Sequence, residues 1–188
     1  MKFLLCFIIV LLAFSCNEKK SEEQFVLKSS ATISIVNEVV FSKNGKFNGT
    51  LFELNQNKKD TVLSEKYKNG LMDGISKKWY PNKQLMEIRE FKLGKKNGEQ
   101  IAYWDNGNKR FEFVAENDAY EGEMKEWSIN GNLFHLAHFV HGQEEGTQKM
   151  WYENGKIRAN YVIIKGKRYG LLGTKNCKNV SDSIFVVK

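Results

Sequence analysis

Cysteine, histidine and proline are all scarce in this chain, and the first two scarcities narrow what it can be. The three cysteines are Cys6, Cys16 and Cys177. Cys6 lies in the apolar run that opens the sequence and Cys16 at its end, so Cys177 is alone in the body of the chain. One thiol cannot close an internal disulfide, and Cys177 reads either as a buried inert side chain or as a thiol open to another chain. The three histidines fall in one stretch, His135-Leu-Ala-His138-Phe-Val-His141. In a helix this spacing would align them and suggest a metal. In a strand, His135 and His138 point to opposite faces. His135, His141 and Cys177 are then the best metal-ligating set the sequence offers, and ordinary polar strand positions are the alternative. The only proline, Pro81, sits in a turn.

Catalytic motifs are missing too. Ser76 and Ser128 lack a Gly-x-Ser-x-Gly setting, and no phosphate-cradling glycine loop precedes a helix. Glu144-Glu145 and Glu121-x-Glu123 stand at hairpin starts, without the cleft that paired catalytic carboxylates need. The expectation is no enzyme and no cofactor. Acidic residues are the minority, 22 against 29 Lys and Arg, giving a net charge of +7. The lysines lie mainly in turns and on strand faces shared with Glu. With an export signal this argues against nucleic acid, and leaves a solvated surface or attraction to anionic headgroups, glycans or an acidic partner.

What the chain does have is a period. Gly74, Gly98, Gly122, Gly146 and Gly170 are 24 residues apart. Trp79, Tyr103, Trp127 and Trp151 keep the same step, as do Asn82, Asn106, Asn130 and Asn154. Three residue types at one period mark a repeat architecture. Asn-Gly between short alternating runs signals a β-hairpin, because both residues tolerate positive φ; Lys83 and Pro81 depart from that pattern in the first full unit. Helices are excluded, since glycine interrupts every six to twelve residues. The expected fold is all-β: an elongated single-layer antiparallel meander of hairpins. Alternation puts the Trp79 column on one face, where it would pack with second-strand Leu and Ile as a thin core. Tyr80, Trp104 and Tyr152 fall on the opposite face, partly exposed, and are the candidate contact residues.

The ends differ from the middle. Lys2 and the apolar run Phe3 to Phe14 read as a signal peptide, too short to span a bilayer. The run ends Ala13-Phe14-Ser15-Cys16, which resembles a bacterial lipobox. That resemblance implies cleavage before Cys16, lipidation of Cys16, and attachment to a membrane of the bacterial cell envelope, periplasmic or surface-facing. The domain expectation is a signal peptide over 1–15, a polar tether over 16–30, N-terminal capping strands and a degenerate first repeat over 31–66, repeats over 67–173, and a tail over 174–188. Asp182 to Val187 reads as a closing strand.

The stretch Gly94-Lys-Lys-Asn-Gly98-Glu-Gln-Ile-Ala-Tyr103-Trp-Asp-Asn-Gly107 resembles the MORN repeat in its bacterial variant form. Val40-Phe-Ser-Lys-Asn-Gly-Lys-Phe-Asn-Gly49 is similar to the opening unit of proteins labelled YwqK-type antitoxins. The resemblance implies a hairpin meander used for protein or lipid contact. The functional expectation is a non-enzymatic, lipid-anchored envelope protein that binds a protein or an anionic lipid or glycan through its β surface. The alternatives are an antitoxin or immunity-like protein, phospholipid-headgroup binding through lysine-rich turns, and a thiol or metal role centred on Cys177.

Overall fold

The computed structural model describes residues 24–173. The signal segment 1–15, Cys16, Cys177 and the expected closing strand 182–187 lie outside the described residues. Within them the chain forms strands and turns, without a helix. The main sheet has twelve strands and a second sheet has three.

The main sheet is built by hairpins. β5 (Gly49–Leu54) pairs with β6 (Thr61–Lys68), and β7 (Leu71–Trp79) with β8 (Leu85–Lys92). The pattern continues through β9 (Lys95–Tyr103) and β10 (Lys109–Glu116), then β11 (Ala119–Trp127) and β12 (Leu133–Val140). It ends with β13 (Gln143–Trp151), β14 (Ile157–Ile164) and β15 (Lys167–Leu171). Every strand from β5 onward is antiparallel to the next, as the 24-residue period requires.

The start departs from the expectation. β1 (Gln24–Leu27) lies in the stretch read as tether, and it pairs with β5 in parallel. Between them the chain makes β2 (Ser34–Val36), β3 (Val39–Ser42) and β4 (Gly45–Lys46). Parallel neighbours need such a crossover, because a tight turn joins only antiparallel strands. Val26 packs with Ile33 and Met72 against a buried cluster of Val40, Phe47, Leu51 and Tyr67, which ties the small sheet to the large one.

Two turn types alternate, and the Asn-Gly turn is not the expected one. At Asn69-Gly70, Asn117-Asp118 and His141-Gly142 both residues have positive φ, the mark of a type I′ hairpin turn. In the Asn-Gly turns only the second residue does: Lys83 at 70°, Gly107 at 88°, Gly131 at 81° and Gly155 at 77°. There Lys83 N–H bonds Tyr80 O and Tyr80 N–H bonds Gln84 O, repeated at Gly107/Trp104 and Gly155/Tyr152. This is a three-residue loop, a type I turn followed by a left-handed residue. The Asn side chain closes it: Asn82, Asn106 and Asn154 Oδ1 each accept the N–H two residues on. Pro81 fits its second position, so the Pro81/Lys83 departure leaves the geometry unchanged.

Each full unit also carries a register shift at the turn end, as at Lys78/Trp79 and Met150/Trp151, and one at the glycine end, as at Arg89/Phe91 and Ala137/Phe139. The second shift frees a carbonyl. Gln100 Nε2 donates to Glu90 O at 2.8 Å and Gln148 Nε2 to His138 O at 2.8 Å. Both glutamines are fully buried. β14 and β15 pair without a shift, so the array ends where its bulge pattern ends.

The core is a second correction. Trp79, Tyr103, Trp127 and Trp151 are only half-buried. The buried positions lie on the other face: Ser76, Gln100 and Gln148, with Ala102, Ala115, Ala137, Ala159, Tyr161 and Ile163. Phe111, Phe113, Tyr120 and Phe139 pack in a row there, with centroids 5.8, 4.5 and 5.0 Å apart. The Arg89 guanidinium lies 4.7 Å from the Phe111 ring centre. A one-layer sheet buries one face by filling it with its own side chains; the Trp column on the other face stays half-exposed.

Candidate functional site

The edge of the sheet that carries the Asn-Gly turns gathers the predicted contact residues. β7, β9, β11 and β13 end there in Trp79, Tyr103, Trp127 and Trp151. Tyr80, Trp104 and Tyr152 follow directly, and the turn asparagines come next. Tyr80 and Trp104 are half-buried and Tyr152 is 43 % exposed. The polar ends of Tyr80 and Trp104 reach the next repeat. Tyr80 Oη donates to Tyr103 O at 2.9 Å, and Trp104 Nε1 to Trp127 O at 3.0 Å. Asn82 and Asn106 Nδ2 likewise donate to Asp105 O and Ile129 O, each at 2.8 Å. All four bonds link residue i to residue i+23. These side chains therefore lace the first full repeat to the second and the second to the third.

Cations sit among the rings. Arg110 stacks on Trp104 at 4.9 Å, and the Lys109 ammonium lies 5.6 Å from the Trp127 ring centre. Hollows of about 190 Å³ and 180 Å³ open beside Trp79 and Trp151. The first is lined by Asn55, Tyr80 and Lys83, the second by Lys149 and Asn160. A groove of about 550 Å³ lies at the N-terminal end among Ser42, Asn44, Lys46 and Asn48.

The histidines do not converge. His135 Nδ1 is 2.7 Å from Glu126 Oε2. His138 Nδ1 lies 3.0 Å from Glu145 O, so that nitrogen carries the proton. His141 is a turn residue, its N–H bonded to Glu121 Oε2 at 2.8 Å. Among the described residues no group of three or more His, Cys, Asp or Glu side chains could hold a metal ion.

Two carboxylates anchor the buried face. Glu65, nearly buried, accepts from Lys28 Nζ and Tyr67 Oη, each at 3.0 Å. Burial, and then the Glu65 charge, push the Tyr67 phenol well above its ordinary value. Burial pushes Glu87 up, but hydrogen bonds and charge from Lys78 and Arg89 outweigh it and hold its carboxyl below the ordinary value.

Neither the Phe111–Phe139 row nor the buried glutamines were expected from the sequence. The glutamines stand in the column Ser76, Gln100, Met124, Gln148, which pairs with the column Arg89, Phe113, Ala137, Tyr161, and neither column has a shared chemistry. Gln100 and Gln148 are two steps apart, which was the available signal.

Residues 72–93 and 144–161 match the family model described as MORN repeat variant. Their starts are 72 residues apart (144 less 72), three steps of 24, so both begin in the same phase of the unit. These two stretches of the chain are similar to the MORN repeat variant. The match covers two stretches of the array, while the register and turns extend the same unit through the strands between them. No curated protein matches the chain.

Proposed function

We propose that this chain is a non-enzymatic repeat protein of the bacterial cell envelope, held to a membrane by lipid on Cys16, that binds an envelope component through the aromatic edge of its sheet. The observation that carries the reading is the contrast between the middle of the sheet and its turn end. The middle of one face is filled by its own glutamines, alanines and aromatics, while the turn end, where Trp79 to Tyr152 stand on both faces, keeps its rings half-exposed beside Asn and Lys side chains. Exposed aromatics with a polar surround favour contact with another molecule. The MORN repeat variant match supports a repeat scaffold with a binding role. The anchor rests on the Ser15-Cys16 junction after the apolar run.

The test is affinity capture from detergent-solubilised membranes with full-length protein and a Tyr152→Ala variant. A component retained by the native chain and lost with the variant supports the reading. Equal retention by both removes this edge from it. Radiolabelled palmitate incorporation lost in Cys16→Ser tests the anchor separately.

A further inference from the structure

One turn of the array differs from its equivalents in a way that leaves an amide loose. Asn106-Gly107, Asn130-Gly131 and Asn154-Gly155 sit in the same three-residue loop, and in each the glycine N–H bonds a carbonyl, of Trp104, Ser128 and Tyr152 in turn. The residue that closes the loop is aromatic in the other units, Tyr80, Trp104 and Tyr152, and is Ser128 here. Ser128 Oγ accepts the Asn132 N–H at 3.3 Å. In the other two loops the matching N–H goes to the asparagine Oδ1, at 3.0 Å for Asn106 and for Asn154. A hydroxyl has displaced an amide oxygen from one donor. Asn130 is exposed and makes no side-chain hydrogen bond among the described residues. We propose that Asn130-Gly131 is a self-modifying site, where the Gly131 nitrogen attacks the Asn130 side chain and converts it to aspartate and isoaspartate faster than at the two equivalent loops.

The chemistry needs only water. The Gly131 nitrogen gives its proton to solvent and bonds to Asn130 Cγ. The Cγ–Nδ2 bond breaks, and ammonia leaves a cyclic imide. Water then opens the imide at either carbonyl carbon. Opening at Cγ restores the main chain and leaves an aspartate. Opening at the main-chain carbon leaves Gly131 joined through Cγ, which is an isoaspartate. Nothing is oxidised or reduced. Glycine exposes the attacking nitrogen, because it has no Cβ to screen it.

The side chain sets the order among the loops. All three share the Asn-Gly pair and the bonded glycine N–H, so the main chain resists attack alike in each. To react, the amide must swing onto the following nitrogen, and every hydrogen bond it makes must first break. Asn106 makes two, from the Asn108 N–H and to Ile129 O. Asn154 makes one among the described residues, from the Lys156 N–H. Asn130 makes none, so the rates should fall in the order Asn130, Asn154, Asn106. The Asn82 loop stands outside this comparison, because Lys83 replaces its glycine. The loosened amide belongs to the junction that the lacing skips. Ser128 is too short for the reach that Tyr80 and Trp104 make, and Asn130 does not make the one that Asn82 and Asn106 make. Conversion puts a negative charge, and in isoaspartate an extra main-chain carbon, into the turn after Trp127.

The experiment is incubation of full-length protein in neutral detergent at mildly alkaline pH, followed by digestion in acid, peptide mass mapping and an isoaspartate assay at each time point. In the folded protein Asn130 is expected to convert at least about threefold faster than Asn106, the margin that one weak hydrogen bond supplies. In urea the three sites are expected to converge, because the bonds that separate them are gone. Ser128→Ala removes the competing acceptor and returns the Asn132 N–H to Asn130 Oδ1. Its Asn130 rate is expected to fall to that of Asn154, with a urea midpoint close to that of the native protein. Asn130→Gln is expected to lose the isoaspartate signal at that turn. Equal rates at the three folded sites, an order that persists in urea, aspartate without isoaspartate, or an unchanged Asn130 rate in Ser128→Ala would overturn the proposal.

Discussion

At the scale of single residues, the unit is held by side chains that repair what the bulges break. Gln148 is the clearest case: fully buried, it donates to His138 O and, at 3.5 Å, to Glu145 O. Its Oε1 has no partner among the described residues. Gln148→Met places there the residue that the preceding unit holds at Met124. The buried carbonyl then loses its donor, and the expected cost is about 1–3 kcal/mol, read from urea midpoints. An unchanged midpoint would mean the glutamine only fills space. Glu87 gives a pH signature. Its folded pKa is depressed, so its contribution is complete above the ordinary carboxylate range and is lost as pH falls through the folded value. Native protein should exceed Glu87→Gln in stability at neutral pH, with the gap closing as acid protonates Glu87. A gap that persists at low pH would contradict the assignment to Lys78 and Arg89.

At the scale of elements, the turns decide the register. Type I′ turns favour Asn or Gly at both central positions. Leu93 occupies the first with φ of 52° and is exposed, so its side chain returns little for a conformation that costs it more than it would Asn. Leu93→Asn is expected to stabilise the protein by about 0.5–1 kcal/mol, seen as a higher denaturation midpoint. A lower midpoint would show that Leu93 packs usefully. The same turns show what was legible in the sequence. Glycine and Asn-Gly spacing gave strand order, strand length and the antiparallel meander from β5 to β15. Turn type was not legible, because Asn-Gly serves both a two-residue I′ turn and the three-residue loop found here. Pro81-Asn82-Lys83 adopts that loop without glycine. The core face was misjudged for a related reason. Identity at the period drew the eye to Trp79 and its equivalents, whereas the buried positions of the other face, Ser76, Gln100, Ala137, Gln148 and Tyr161 among them, mix polar and apolar chemistry. Tyr80 and Trp104 were expected on the face opposite the Trp79 column and partly exposed; their bonds to the next repeat could not be read without the register.

At the scale of the whole molecule, the array is one-dimensional. Each hairpin pairs with its neighbours through main-chain bonds, reinforced at two bulges by Gln100 and Gln148 and at two junctions by the i-to-i+23 lacing of Tyr80, Trp104, Asn82 and Asn106. The N-terminal end is closed by β1 and the small sheet around Phe47, which seals a cluster no repeat could seal alone. Such a molecule should lose a unit without losing its fold, because stability sums over units and their interfaces. The most direct measurement is urea unfolding of a variant lacking residues 98–121, one full 24-residue step. The account predicts a folded β protein with one cooperative transition, a lower midpoint and a smaller slope, since less surface is exposed on unfolding. A chain that fails to fold, or one whose midpoint and slope match the native protein, would contradict it.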